Sequence, residues 1–509
     1  MSVGDDRIRL EVIPGSSRGP DMQAVLIGHC PGTVSREALA ADEALASALS
    51  AMGHQERVAQ WQAAAADPAI PGDELYDLAL PIRSLAQLQR LFPAIQLADA
   101  ELVDASGPWL PWAVQDYFAA GRGRGDGRLC WVIRVPEATS VSASLARFAS
   151  LAAFDARAGA VRHEPASWGP VELACSLEDA GLLAMPDLER LLTPTPEPSD
   201  VARKRLPNPS ADFYPCGTTF DDGHRERRYS SEMPEPAQVL QSVRRIRDIA
   251  NRLHAWRPDL QWLLTLSADS EYGLPLPRPR QDVLDWLRGS DQQRSAALAQ
   301  VQLLFPLVYG ERRPLTSPGG LIAGHIVHRT ARDGVWRSVA GTDLSEVLLP
   351  WPELNRAARA GLREDPGIGV LYLNPKGALQ LDDERLVASG FCDAAGSACR
   401  SGELMRFVGW LRRSLRRLGE GIVFTLDGRD PAIANMLDAF LNGLHRKGAL
   451  RGVSAEDAYR VTRIGNRSDL VQYRIEIAPS FPVDGFVVTF LHERNANSPR
   501  WLWEQSTHA

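Results

Sequence analysis

The chain has 509 residues, with 56 basic and 63 acidic side chains and a formal net charge of −7. This mildly acidic balance argues against a dedicated nucleic-acid binder, which carries a basic excess. No apolar run approaches the ~20 residues that span a bilayer, which argues against direct membrane insertion. Hydrophobic residues at 44% and charged ones at 23% are ordinary for a globular protein, and the length suffices for about three domains. The six cysteines are sparse. Cys392 and Cys399 lie seven apart, which suits no common zinc spacing, so reduced thiols in a reducing cytoplasm are expected. Asp5, Asp6, Arg7 and Arg9 leave no apolar core for a signal peptide.

Arg7 to Ile13 alternates as a strand, with Ile8, Leu10 and Val12 on one face, and Pro14 and Gly15 end it. It has no local partner, so a distant one is expected. Gln23 to Gly28 reads as a short buried strand, and the alanine-rich stretch Ala38 to Ala66 as helix. Leu78 to Phe92 reads as strand, turn and helix, with Ser84 as N-cap. A helix over Trp112 to Ala120 is followed by a glycine-rich turn and the strand Leu129 to Val135. The pattern weakens from about 141 to 235, where Pro194, Pro196, Pro198, Pro207, Pro209 and Pro215 give linker composition and predict a surface insertion. Order returns with an amphipathic helix through Val239, Val243, Ile246, Ile249, Leu253 and Trp256. The buried strand Leu260 to Leu266, a loop over Pro275 to Pro279 and helical text from Val283 to Leu304 follow. This alternation predicts a mixed α/β protein with a central sheet.

The C-terminal part opens with Leu404, Phe407, Val408, Leu411, Leu415 and Leu418 at three- and four-residue steps, one face of a helix. Arg412, Arg413, Arg416 and Arg417 fall on the other face, and Gly419 and Gly421 are expected to end the helix. A strand over Ile422 to Leu426 and the turn Asp427-Gly428 come next. A second helix through Ile433, Met436, Leu437, Phe440 and Leu444 closes on His445-Arg446-Lys447-Gly448. Strands are expected over Tyr459 to Thr462 and Leu470 to Ala478. Pro479 and Pro482 separate these from a last apolar run, Phe486 to Phe490.

Phe440-Leu441, Gly448-Ala449-Leu450-Arg451-Gly452, Ala455 to Val461 and Ile477 to Val483 occur in the order found in the C-terminal core of contractile tail sheath proteins. Gly320 to Gly324, Arg329 to Trp336 and Val339-Ala340-Gly341 are similar to a second sheath series. The chain thus resembles the sheath family over about a third of its length. It departs at Thr425-Leu426-Asp427-Gly428, where sheath proteins commonly carry Phe-Glu-Pro-Asn. The resemblance implies a sheath-type core domain built from N- and C-terminal parts, with an inserted outer domain and extended terminal β-arms. It implies a structural, non-enzymatic subunit that polymerises with other copies of itself around an inner tube protein and meets baseplate and terminator proteins. Such a subunit is assembled in the bacterial cytoplasm as a component of a phage tail or phage tail-like particle. A minor paralogue beside the baseplate is the alternative role. The implied division is 1–20 arm strand and hinge, 21–140 N-terminal α/β part, 141–235 surface insertion, 236–360 central part, 361–485 C-terminal core, and 486–509 arm and tail. The exchanged arms would be Arg7, Ile8, Leu10 and Val12 at one end and Phe486, Val488 and Phe490 at the other. Arg412, Arg413, Arg416 and Arg417 are the candidate tube-facing residues.

Other chemistry is weaker. Gly15-Ser16-Ser17-Arg18-Gly19 fits the serine-hydrolase elbow, but that elbow needs a strand before and a helix after, and Pro14 and Pro20 flank this one. A hydrolase using Ser17 is the enzymatic rival; a hinge is the reading. Gly121 to Arg128 follows a helix and precedes a strand, the wrong polarity for a phosphate loop. His325 and His328, three apart on an expected strand, would face opposite sides and form no metal pair. Asp382-Asp383-Glu384 is too short for a calcium loop and reads as a solvated turn. No catalytic residue, cofactor or metal is expected.

Overall fold

The computed structural model describes residues 22–67, 69–70, 72–95, 97, 107–120, 128–148, 168–194, 196–202, 225–229, 236–271, 274–288, 300–310, 313–364, 367–387, 401–422, 431–464, 470–480 and 486–493. Its centre is a sheet of eight strands: β1 (Gln23–Gly28), β2 (Ala79–Ile82), β3 (Cys130–Arg134), β4 (Ala180–Ala184), β5 (Gln261–Thr265), β6 (Val301–Phe305), β7 (Ile368–Leu373) and β8 (Leu379–Leu381). The spatial order is β8-β7-β6-β5-β4-β1-β3-β2, parallel from β7 to β3 with antiparallel strands at both edges. Leu26 of β1 lies opposite Val132 of β3 on one side and Ala184 of β4 on the other.

The strands are short apolar runs rather than alternating ones because both faces are covered, as a parallel sheet with crossover helices requires. Ala24, Leu26, Leu182 and Leu263 point into one core layer, and Val25, Ile27, Leu183 and Trp262 into the other. The first layer is covered by helices that include α1 (Leu110–Ala119), α5 (Gly319–Asp333), α6 (Gly402–Ile422) and α7 (Ala432–Arg446). The second is covered by α2 (Pro170–Ser176), α3 (Pro186–Leu192) and α4 (Pro236–Trp256). Helix α5 crosses α1 at very short range. A Cβ added at Gly320 or Gly324 would collide with the backbone of Ala113 or Tyr117, so only glycine permits this crossing.

Expectation and structure agree on β1, on the Ser84 cap, whose hydroxyl accepts from Gln87 N at 3.1 Å, and on α4. The Ala38 to Ala66 stretch is three helices, Arg36–Ala41, Glu43–Ala51 and Gln55–Ala66, interrupted at Asp42, which caps the second.

Several expectations are corrected. The stretch 141–235 is not all surface insertion: it contains β4, an interior strand, because Ala180-Gly181-Leu182-Leu183-Ala184 is small and apolar on both faces. Val283 to Leu304 is not one helical text. A helix, Gln281–Arg288, precedes the sheet strand β6. The prolines of Leu274–Pro279 lie in a strand that pairs antiparallel with Ala268–Glu271; proline is tolerated where no ladder hydrogen bond is lost. Helix α6 runs through Gly419 and Gly421 to Ile422. A helical glycine costs only about 1 kcal/mol, too little to end a helix held by the burial of Phe407, Leu411 and Leu415. Val423 to Gly428 lies outside the described residues. His325 and His328 are on helix α5, not a strand, and His325 Nε2 contacts Leu344 O at 2.8 Å.

A second sheet holds β9 (Tyr459–Ile464), β10 (Leu470–Ile477) and β11 (Phe486–Glu493), all antiparallel. The C-terminal arm is therefore not a free strand. Phe486 pairs with Ile477, Val488 with Ile475 and Phe490 with Tyr473 of the same chain. The physical reason is proximity: β10 presents an edge only a short connection away, and pairing satisfies its main-chain groups. The N-terminal arm residues Arg7, Ile8, Leu10 and Val12, and Ser17, lie outside the described residues.

Candidate docking site

The four arginines of α6 lie on one wall of a cavity of about 340 Å³ at the N-terminal edge of the sheet. Trp168, α2 and the end of α4 at Trp256 form the opposite wall, and the turn Pro258-Asp259 that enters β5 also lines it. The helix period puts 412, 413, 416 and 417 along one stripe, and the same stripe brings Arg413 against the sheet.

The four candidate tube-facing arginines are not equivalent. Arg412 and Arg413 are buried, whereas the side chains of Arg416 and Arg417 keep 48% and 38% of their exposure. Arg413 Nη1 donates to Asp259 Oδ2 at 2.8 Å, and its Nη2 approaches Met22 Sδ at 3.7 Å. Arg257 forks onto both oxygens of the same aspartate at 2.9 Å. It also donates to the carbonyls of Cys175, Leu177 and Ala180. Burial alone would raise the Asp259 carboxyl, but Arg257 and Arg413 outweigh it and hold the group well below the usual carboxylate range. Burial lowers Arg412 to about 10, partly opposed by Asp259 and reinforced by Arg257. Two guanidiniums thus share one carboxylate, with a third desolvated beside them. Arg416 pairs with Glu420 at 2.8 Å one turn on, and Arg417 bonds Asp179.

Trp256 is 44% exposed at this cavity. Exposed tryptophan next to arginine is the composition of a protein contact surface rather than of a reaction centre. Cys175 also lines the cavity; burial pushes its thiol up to about 12, so it is no nucleophile. The sequence pointed to the arginines through their period. Asp259, Arg257 and the tryptophans had no signal of their own, because they come from other segments.

The opposite edge of the sheet is closed. The order in which strands are added reverses between the parallel pair β1 and β4, and in doubly wound sheets ligands bind outside the carboxyl ends of the strands at that point. Here Asp187, in the first turn of α3, fills the crevice. Its carboxylate accepts from His29 N at 2.8 Å, Trp109 N at 2.9 Å, Leu110 N at 3.0 Å and Arg190 Nε at 2.8 Å. A Cβ on Gly28 would strike it. Glu189, two residues further along α3, accepts from Thr265 N at 2.9 Å; burial, opposed by bonds from Ser317 and Thr265, pushes its carboxyl up to about 8. Among the described residues no group of three potential metal ligands occurs, and no helix is long and apolar enough to cross a membrane.

A doubly wound α/β sheet, plugged at its ligand-binding edge and open at a charged, tryptophan-bearing groove, defines the class. Solved structures place it further. A chain of the anti-feeding prophage baseplate in contracted state is similar with a TM-score of 0.54 and 13% identity, over 100% of this chain and 98% of that one. A chain of the six-fold symmetrised baseplate of the same particle gives 0.50 and 16%, over 95% and 97%. A chain of its helical sheath in contracted state gives 0.49 and 15%, over the full length of both. The chain shares the fold of these two baseplate chains, in keeping with the mixed α/β fold that the sheath resemblance implied. No protein-family model and no curated protein matches it.

Proposed function

We propose that the chain is a structural subunit of a contractile sheath, one that packs with copies of itself around an inner tube and shortens to drive that tube through a target envelope. The observation that carries the reading is the shared fold over the whole length, 100% and 98% of the two chains at a TM-score of 0.54. The sealed crevice at Asp187 supports a role without catalysis. The groove along α6 is the surface for the inner tube, through Arg416 and Arg417 at its rim; Arg412 and Arg413 hold the helix in place behind them. Open helical assembly needs head-to-tail contacts. The terminal strands can supply these, because a strand added to a neighbour's sheet brings several main-chain hydrogen bonds of roughly 1 kcal/mol net each. In that arrangement β11 leaves β10 of its own chain for the same edge of the next copy. Both baseplate chains favour one second reading, a sheath paralogue confined to the rings next to the baseplate.

Negative-stain microscopy of the protein co-expressed with its operon partners tests this. Long striated sleeves are expected from a main sheath subunit and short ring stacks from the paralogue. Discrete monomers with esterase activity lost in Ser17→Ala would sink both. Deletion of residues 1–14 is expected to leave a folded monomer that no longer polymerises.

A further inference from the structure

The first turns of α6 enclose a charge cluster that the docking groove does not use. Arg406 is fully buried. Its Nη1 bonds Glu384, a carboxylate with no exposed side-chain area, which also accepts from Ser338 Oγ at 2.8 Å and Val339 N at 2.5 Å. Glu384 thus belongs to no solvated turn: it ties the segment after β8 to the segment after α5, and its carbonyl receives Gly402 N at 2.6 Å where α6 begins. One turn before Arg406, on the same side of the helix, stands Glu403, a partly buried residue whose buried Oε2 accepts no hydrogen bond. Nε and Nη2 of Arg406 are likewise buried without acceptors.

The remaining walls are neutral or turned away. Gln261 of β5 reaches Arg406 at 3.4 Å and Gln302 of β6 at 2.8 Å. Asp382 accepts from Val370 N, and Asp383 pairs with Arg385 at 2.8 Å. Arg385 is joined to Ser401 by a main-chain bridge. Among the described residues, then, one guanidinium pairs with a fully buried carboxylate, and a second, partly buried carboxylate stands one helical turn away on the same side of α6. Two like charges sharing one counter-charge cannot both ionise cheaply, so the cluster retains a proton that either alone would lose.

We propose that Glu384, Glu403 and Arg406 form a proton-operated latch that fastens the start of α6 to the sheet when Glu403 is protonated and loosens it when the proton leaves. Burial and the Glu384 charge, opposed by Ser401 and Arg406, raise the Glu403 carboxyl from 4.5 to about 7, so the release falls in the neutral range. A group whose pKa is higher folded than unfolded contributes stability that is complete below the unfolded value and lost as pH climbs through the folded one. The helix so released carries the arginine groove two to three turns further along. The latch holds whether or not the chain is a sheath subunit.

Hydrogen exchange of the amides of residues 403–408, corrected for intrinsic rate, tests the latch on the full chain between pH 5 and 8. Protection is expected to fall by about tenfold per pH unit up to about 7 and then level off. Glu403→Gln copies the protonated state, so it is expected to fold and to show no such fall. Glu420→Gln, at an exposed carboxylate on the same helix, is expected to keep it. A Glu403→Gln profile that follows the parent, or a parent profile flat across this range, overturns the proposal.

Discussion

Two buried aspartates at opposite edges of one sheet meet their charge in different ways. Asp187, at the carboxyl end of β4, is held by three main-chain N–H groups and one arginine. Asp259, at the amino end of β5, is held by two arginine side chains from separate parts of the chain. Main-chain donors cannot turn away, so the Asp187 edge is fixed and closed. Guanidiniums on flexible stems can regroup, so the Asp259 edge can stay open and still accept a partner. The difference explains why an α/β sheet of this type has its usual ligand crevice plugged while its other end carries a cavity.

Substitutions can break or sharpen that contrast. Asp187→Ala is expected to do the most damage, about 3–5 kcal/mol, because it strands three buried N–H donors and Arg190; a lowered urea midpoint or loss of soluble protein checks it. Asp259→Asn is expected to cost less, about 2–3 kcal/mol by the same measurement, because Arg257 keeps three carbonyl partners and water can enter the cavity. If the two losses were equal, or reversed, the contrast between fixed and adaptable edges would fail.

Glu189→Gln sharpens the closed edge through pH. The folded carboxyl sits near 8 against 4.5 unfolded, so the parent's extra stability is complete below pH 4.5 and shrinks as pH rises through 8. The variant is expected to match the parent at pH 5 and to exceed it in thermal midpoint at pH 9. The smallest stability effect is expected from Arg416→Ala with Arg417→Ala, within about 1 kcal/mol, since one pair is exposed and the other about a third exposed. Sleeve formation on a co-purified inner tube is nonetheless expected to weaken at low salt, and the difference from the parent to shrink at high salt. Unchanged sleeves would remove the groove from the docking surface.

How much of this was legible depended on the range of the interaction. The Ser84 cap, the face of α6 and the stripe of four arginines are local, set by residues within one or two turns, and were readable. Strand β4 was missed because a strand buried on both faces shows no alternation and here follows no strong turn signal. The docking site was half readable: Arg412, Arg413, Arg416 and Arg417 mark it, but Asp259 and Trp168 reach it only through the crossover connections. Glu384 looked like solvated acid because its counter-ion, Arg406, is 22 residues away.

By itself the amino-acid order determined the helical period of α6, the cap at Ser84, the apolar strands and the motif series that resembles sheath proteins. These follow from short-range sterics and from the spacing of apolar side chains. Only the tertiary structure decided that β4 is central, that Asp187 plugs the switch point, that two of the four arginines are buried, and that β11 lies on β10. Burial and charge pairing are properties of distant segments brought together, and no local pattern encodes the identity of a partner supplied from elsewhere in the chain.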